Sequence, residues 1–349
     1  MAAIRVNKIA SVVYRLGLGL DIDVTENMEA RSGNVVVARI RSDKRVYNEL
    51  ELVGGRMAKI ARGDVIVGAL GRRRALQGFV GDVPETIQKG DEIHLLNMGG
   101  VVGVARSALR ELGNPARLEV LGMAVKGQQI LNVADGALES VDSLKDTTLP
   151  PIVLFSGTCM NSGKTYACSQ VIKEMSKRGL VVNGAKLTGI ACCRDSISME
   201  DHGALRTASF LDAGYASTAG LDPDSMVLMA RSVLNEVSRG NPDVIFLELG
   251  DGIIGDYGVL DVLEDAQIRS AMKVHVFCAG DMVGAWGGQN YLAERSIDVH
   301  IFSGPVTDTE VGVEYLQDTL KKPAINARLE PQRLAEEVVK NLDFLSLTK

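Results

Sequence analysis

The chain has 349 residues, 46 % hydrophobic and 23 % charged, a globular composition with enough apolar material for two cores. Its 38 basic and 44 acidic side chains leave a net charge of −6, which lacks the positive field of a non-specific nucleic-acid binder. No apolar run approaches the ~20 residues that span a bilayer, and residues 1–8 lack the apolar stretch of a secretory signal. The expectation is a cytoplasmic protein with neither a nucleic-acid nor a membrane partner. The five cysteines, Cys159, Cys168, Cys192, Cys193 and Cys278, are odd in number and do not read as a disulfide framework.

In chain order, residues 9–125 read as short strands separated by Gly turns. Examples are the runs 34–40, 64–70, 76–80 and 92–96, punctuated by Gly-Asp pairs at 63–64, 81–82 and 90–91. Short β-rich runs at this spacing predict a small barrel or sandwich. The pattern also predicts a helix over 104–112 closed by Gly113. Arg72, Arg73 and Arg74 read as a solvated basic turn ahead of an anion or RNA site. Residues 140–150 are polar and run into Pro150-Pro151, which marks them as a linker.

The rhythm then changes. Strands are predicted at 152–155, 180–187, 244–249, 274–278, 299–302 and, more weakly, 324–326. Helices are predicted near 164–178, 201–213, 225–238, 260–272, 291–295, 310–320 and 332–342. Almost wholly apolar strands alternating with helices mean a parallel sheet covered on both faces. The expected fold class is α/β, with a parallel-sheet domain (146–349) preceded by a smaller, barrel-like β-rich domain (1–145).

The strongest chemical signal is Gly157-Thr158-Cys159-Met160-Asn161-Ser162-Gly163-Lys164-Thr165, followed by Tyr166, between a strand and a helix. Glycines let the backbone wrap an anion, and successive N–H groups at a helix N-terminus bind phosphate oxygens. Lys164 can reach the β- and γ-phosphates, and the Thr165 hydroxyl can bind Mg²⁺. Five residues, rather than the usual four, separate the glycines.

That spacing resembles the phosphate loop of dethiobiotin synthetase and its relatives, a branch of P-loop proteins. Further segments are similar in the same order. Ala185–Gly189, with Lys186, looks like the family's second-strand lysine segment. Glu200–Ala204, with Asp201, resembles the segment supplying its Asp metal ligand. Phe246–Gly252, with Glu248, is similar to the strand end supplying its Glu ligand. The likeness covers about residues 151–328. It extends to an uncharacterised P-loop family that includes D-glutamate N-acetyltransferases, through Thr188-Gly189-Ile190 and an Asp some ten residues later. The loop carries Cys159 where the dethiobiotin family usually has an acidic residue. Ser303-Gly304-Pro305 replaces its adenine-binding Asn.

The resemblance implies ATP with Mg²⁺ as cofactors, Thr165, Asp201 and Glu248 as metal ligands, and Lys164 and Lys186 as catalytic lysines. Asp195 competes with Asp201 for the metal. Thr188, Gly189, Gly250, Asp251 and Gly252 are candidate substrate contacts. Asp256, Tyr257, Asp281 and Trp286 are placed near the same cleft, and His202 beside Asp201. The expected activity is activation of a small acid by phosphoryl transfer, for amide ligation or phosphorylation, in a homodimer. The alternatives are a coenzyme A-dependent N-acyltransferase and a nucleotide switch or metallochaperone. The cysteines read first as small buried residues, ahead of a thiol-bound metal, a redox switch or a reactive thiolate.

Overall fold

The computed structural model describes residues 2–145, 147 and 149–342. The chain divides into two compact units. The first contains residues 1–139 together with 189–194 and 210–220; the second contains 140–188, 195–209 and 221–349. Two segments of the later sequence thus pack with the first unit. Among the described residues no helix is long and apolar enough to cross a membrane.

In the first unit, five strands close into a ring. Val35–Ile40 pairs with Val65–Leu70 and with Arg117–Lys126, Val65–Leu70 pairs with Val101–Ala108, and Glu92–Leu95 bridges Val101–Ala108 and Arg117–Lys126. Closure removes free edges, and Val35, Val37, Ile66, Leu95, Leu118 and Val120 are fully buried or nearly so. The helix expected at 104–112 is instead the strand Val101–Ala108 followed by a single 3₁₀ turn, Arg110–Leu112. Val101, Val102 and Val104 favour strand, and pairing to strands on both sides outweighs local helix preference.

Arg73 is buried rather than solvated. Its guanidinium lies over Tyr47 and Phe79 and donates to the Tyr47 hydroxyl and the Leu96 carbonyl. Arg74 pairs with Asp82.

Among the described residues, the second unit is built on six parallel strands. They are β1 (Ile152–Gly157), β2 (Val182–Thr188), β3 (Arg206–Ser209), β4 (Val244–Leu249), β5 (Met272–Cys278) and β6 (Ile301–Ser303). Their order across the sheet is β3-β2-β4-β1-β5-β6. The helices are α1 (Lys164–Lys177), α2 (Arg194–Asp201), α3 (Pro223–Ser238), α4 (Val259–Glu264), α5 (Ala266–Ala271), α6 (Met282–Ala293), α7 (Glu310–Glu314) and α8 (Pro331–Asn341).

Val153 and Phe155 pack in one core with Ala167, Val171, Ile172 and Met175 of α1 and with Leu334 and Val338 of α8. The alternate residues Ile152 and Leu154 are equally buried, so both faces of β1 are covered. α3 begins at Pro223 behind Asp222, whose carboxylate accepts the Ser225 N–H at 2.9 Å.

Three sequence expectations change here. The helix expected over 201–213 lies earlier, at Arg194–Asp201, and Arg206–Ser209 is an edge strand paired to β2. α6 begins at Met282 rather than near Tyr291. The expected linker is anchored in the second unit. The Val141 amide donates to the Ser232 hydroxyl at 2.9 Å, the Leu144 amide to Gln267 at 2.6 Å, and the Thr147 hydroxyl to Asn235 at 3.0 Å. Two backbone amides and one hydroxyl of the segment thus bond to side chains of α3 and α5. Asp146 and Thr148, like 343–349, lie outside the described residues.

Candidate functional site

In an open parallel sheet, ligands sit beyond the carboxyl ends of the strands. The 157–165 loop leaves β1 at that edge and enters α1. Gly163, at φ +93°, and Asn161, at φ +62°, turn the backbone into the helix. Lys164 is 5 % exposed, and its Nζ donates to the Cys159 carbonyl at 2.7 Å and to Ser162 Oγ at 3.3 Å. Burial pushes its pKa below the ordinary lysine value, with Glu248 opposing the shift.

Glu248 comes to the loop from β4 and is 1 % exposed. The Thr165 hydroxyl donates to its Oε1 at 2.6 Å. Lys186, on β2 and beside Glu248 in the strand register, lies 4.0 Å from the same oxygen. The Lys186 ammonium also forms an ion pair with Asp195 in the first turn of α2. One connected set therefore contains Thr165, Glu248, Lys186 and Asp195. The second carboxylate oxygen, Oε2 of Glu248, is buried without a hydrogen-bond partner. An orphaned carboxylate oxygen is costly in a dry site unless a cation or donor completes it.

That orphan fits Mg²⁺, which takes a few carboxylate and hydroxyl oxygens and fills its shell with water and phosphate. Among the described residues no group of three His, Cys, Asp or Glu side chains is arranged to hold a metal by itself. A site completed by phosphate oxygens is consistent with that.

Asp201 is not part of this set. It is exposed at the last residue of α2, about 9 Å along the helix from Asp195 at 1.5 Å per residue. The sequence pattern placed the helix start at Asp201; moving it to Arg194 exchanges the two aspartates. His202 is occupied beyond the helix end, with Nδ1 2.7 Å from the Ser198 carbonyl.

Of the candidate substrate contacts, Thr188 is buried and donates to the Gly250 carbonyl at 2.8 Å. A Cβ on Gly250 would strike the Thr188 carbonyl, and one on Gly252 would strike the Thr158 carbonyl, so both glycines serve close backbone approach beside the loop. Asp251 between them adopts φ +66°. Gly189 belongs to the first unit, where it exchanges hydrogen bonds with Thr218. Asp281 caps α6 by accepting the Gly284 N–H at 2.7 Å. Tyr257 is buried, Asp256 is exposed, and Trp286 is half exposed on α6. Tyr166, half exposed in the first turn of α1, lies under the Arg328 guanidinium.

All five cysteines are free. Burial pushes Cys168 well above the ordinary thiol value, and Cys278, Cys192 and Cys193 up to about 12. These four are thiols at neutral pH, which removes the reactive-thiolate reading for them.

Sequence reasoning missed Glu51. It is 0 % exposed and accepts hydrogen bonds from Ser11 Oγ, Cys192 Sγ (3.1 Å), and the Cys193 (2.7 Å) and Arg194 (2.9 Å) amides, all within the first unit. Nothing in the local sequence Glu49-Leu50-Glu51-Leu52 marks one glutamate as buried.

No protein-family profile and no curated protein matches the chain. Solved structures do. Chloroplast FtsY from Physcomitrella patens is 13 % identical over 59 % of this chain and 70 % of its own, with a TM-score of 0.38. The signal recognition particle 54 kDa protein from Aeropyrum pernix K1, in complex with GDP, is 15 % identical over 62 % of this chain and 51 % of its own, with a TM-score of 0.37. A DUF1611 family protein from Anabaena variabilis is 17 % identical over 62 % of this chain and 66 % of its own, with a TM-score of 0.42. Likenesses this distant carry no functional argument; the fold rests on the chain's own sheet order and loop. The second unit has a P-loop-type α/β fold, a parallel sheet with a glycine-rich loop between β1 and α1.

Proposed function

We propose that the protein is a Mg²⁺-dependent, ATP-using enzyme that activates a small acid by phosphoryl transfer, for ligation or phosphorylation. The observation that carries this reading is the Thr165–Glu248–Lys186–Asp195 set beside the loop, with one buried Glu248 oxygen left to be completed.

The loop amides and the N-terminus of α1 bind the phosphates. Lys164 exchanges its bonds to the Cys159 carbonyl and Ser162 for phosphate oxygens. Thr165 and Glu248 would hold Mg²⁺, with Asp195 nearby through Lys186, and the ion would supply neutralisation of the phosphate charge. Lys186, held between two carboxylates, orients the acid. The acid's oxygen attacks the γ-phosphorus, the bond from that phosphorus to the β–γ bridging oxygen breaks, and ADP leaves with the electron pair. An acyl or mixed phosphate results; in ligation an amine then attacks the activated carbon, the carbon–oxygen bond to phosphate breaks, and inorganic phosphate and the amine proton leave.

Calorimetric titration of the full chain with ATP, GTP and acetyl-coenzyme A, with and without Mg²⁺, tests the reading. Mg²⁺-dependent ATP binding that Lys164→Ala abolishes is expected. Acetyl-coenzyme A binding with no nucleotide binding would overturn it in favour of acyl transfer.

A further inference from the structure

The three consecutive arginines of the first unit have different surroundings. Arg72 is exposed, and Arg74 pairs with Asp82. Arg73, on the short strand that pairs with Phe79–Asp82, is 5 % exposed. Its guanidinium carbon lies 5.5 Å from the centre of the Tyr47 ring and 5.7 Å from that of Phe79, and the two rings meet edge to face. Tyr47 adopts φ +57°, a conformation that costs a non-glycine residue, where its hydroxyl meets Arg73.

A guanidinium offers five N–H donors and keeps its charge inside a protein. Nη1 is used, donating to the Tyr47 hydroxyl at 2.8 Å and to the Leu96 carbonyl. Nε is buried without a hydrogen-bond partner, and no acceptor among the described residues takes Nη2. Those two nitrogens form one edge of the group, the edge that gives two parallel N–H bonds to an oxyanion. Among the described residues no carboxylate pairs with Arg73; Asp82 is taken by Arg74 and Arg106. A second cation lies over the same ring. Lys44 Nζ is 5.6 Å from the centre of Phe79 and donates to the backbone carbonyls of Leu112, at 3.0 Å, and Asn114. Ring contacts and carbonyl bonds offset part of this charge, and a buried charge without a counterion remains costly.

We propose that the Nε–Nη2 edge of Arg73 is a binding site for a small carboxylate, with Tyr47 and Phe79 fixing the guanidinium and Lys44 adding positive charge. The site lies wholly within the first unit and does not depend on the nucleotide reading. A carboxylate is favoured over a phosphate because its two oxygens lie in the plane of the fork. A tetrahedral anion would project oxygens out of that plane, where the guanidinium has aromatic neighbours.

The test titrates the full chain with sodium acetate and follows the Arg73 Nε–H resonance, assigned through its own side-chain carbons. Sodium chloride at matched ionic strength and sodium phosphate are the comparison arms. Acetate is expected to move the resonance saturably downfield, and chloride is expected to leave it in place. Thermal unfolding supplies a second readout, since an anion that binds only the folded chain raises the melting temperature. Arg73→Lys keeps the charge and loses the parallel pair of donors, and is expected to weaken acetate binding about tenfold or more. Should that variant fail to fold, the titration of the unaltered chain decides alone. An Nε–H resonance indifferent to acetate would overturn the proposal. Equal responses to acetate and chloride, the mark of an adventitious ion only, would overturn it too. Movement with phosphate but not acetate would overturn the carboxylate assignment, and undiminished acetate binding by Arg73→Lys would overturn the role of the edge.

Discussion

Glu248 and Glu51 are both buried glutamates, each at the heart of one unit, and they differ in one respect. Glu51 has four donors on its two oxygens. Glu248 has the Thr165 hydroxyl and the Lys186 ammonium on Oε1 and nothing on Oε2. A saturated carboxylate holds backbone in place; an unsaturated one at the ligand edge of a parallel sheet waits for a cation. Burial alone does not separate the two roles. The number of unfilled lone pairs does.

The largest expected effect tests the phosphate end of the open site. Lys164→Ala removes a preorganised charge and is expected to cost about 2–4 kcal/mol in transition-state stabilisation, read as kcat/KM of the nucleotide reaction. Unchanged turnover would end the enzyme reading while leaving the fold intact.

Next comes the unfilled oxygen itself. Glu248→Gln is expected to keep the melting temperature near the parent value, since Thr165 retains an acceptor. It is expected to lose on the order of 10–100-fold in Mg²⁺-dependent affinity. A variant that unfolds instead would place Glu248 with Glu51, as a holder of structure.

A third buried polar group belongs with the saturated kind. His275 on β5 is fully buried, with Nδ1 3.0 Å from the Asp298 carbonyl and Nε2 2.7 Å from Ser156 Oγ. Nδ1–H donates to the carbonyl, so Nε2 accepts from the serine hydroxyl. Burial lowers its pKa from 6.5 to about 3. The unfolded chain takes up a proton below 6.5 and the folded chain does not until about pH 3. Stability is therefore fully present above pH 6.5 and falls as pH drops through that window. At pH 5 the loss from this group is about 2 kcal/mol, at ~1.4 kcal/mol per unit. Urea unfolding of His275→Gln at pH 7 and pH 5 is expected to show a shallower acid loss by that amount; identical slopes would contradict it.

The smallest effect separates the two aspartates. Asp201→Asn, at an exposed helix end, is expected to change stability and Mg²⁺-dependent affinity by less than about 0.5 kcal/mol, as for surface substitutions generally. Asp195→Asn is expected to lower Mg²⁺-dependent affinity several-fold, through loss of the Lys186 pair. The reverse ranking, measured by the same titration, would restore Asp201 to the site.

Much of this was legible in the amino acids. The loop from Gly157 to Thr165 declares itself by glycines and a Lys-Thr pair in a strand–turn–helix setting. The apolar run Val244–Leu249 with a glutamate near its end points to a ligand-edge carboxylate. Asp195 and Asp201 were harder, because the segment between β2 and β3 mixes apolar and polar residues without a clean helical period, and the helix begins at Arg194, seven residues before the expected 201, which puts Asp195 rather than Asp201 at its start. The strand at 101–108 was misread as helix because its alanine and arginine suit either state, and partners far along the chain decide it.

By itself the sequence determined that an apolar, helix-interleaved half would form a parallel sheet with an anion loop at its carboxyl edge, since those features depend on local periodicity and on glycine and lysine chemistry. Only the tertiary structure decided that Lys186 would stand between Glu248 and Asp195, that residues 189–194 and 210–220 would pack with the barrel rather than with the sheet that precedes them, and that Glu51 would saturate while Glu248 would not. Hydrogen-bond saturation depends on which atoms meet across tens to hundreds of residues, and no local pattern carries that information.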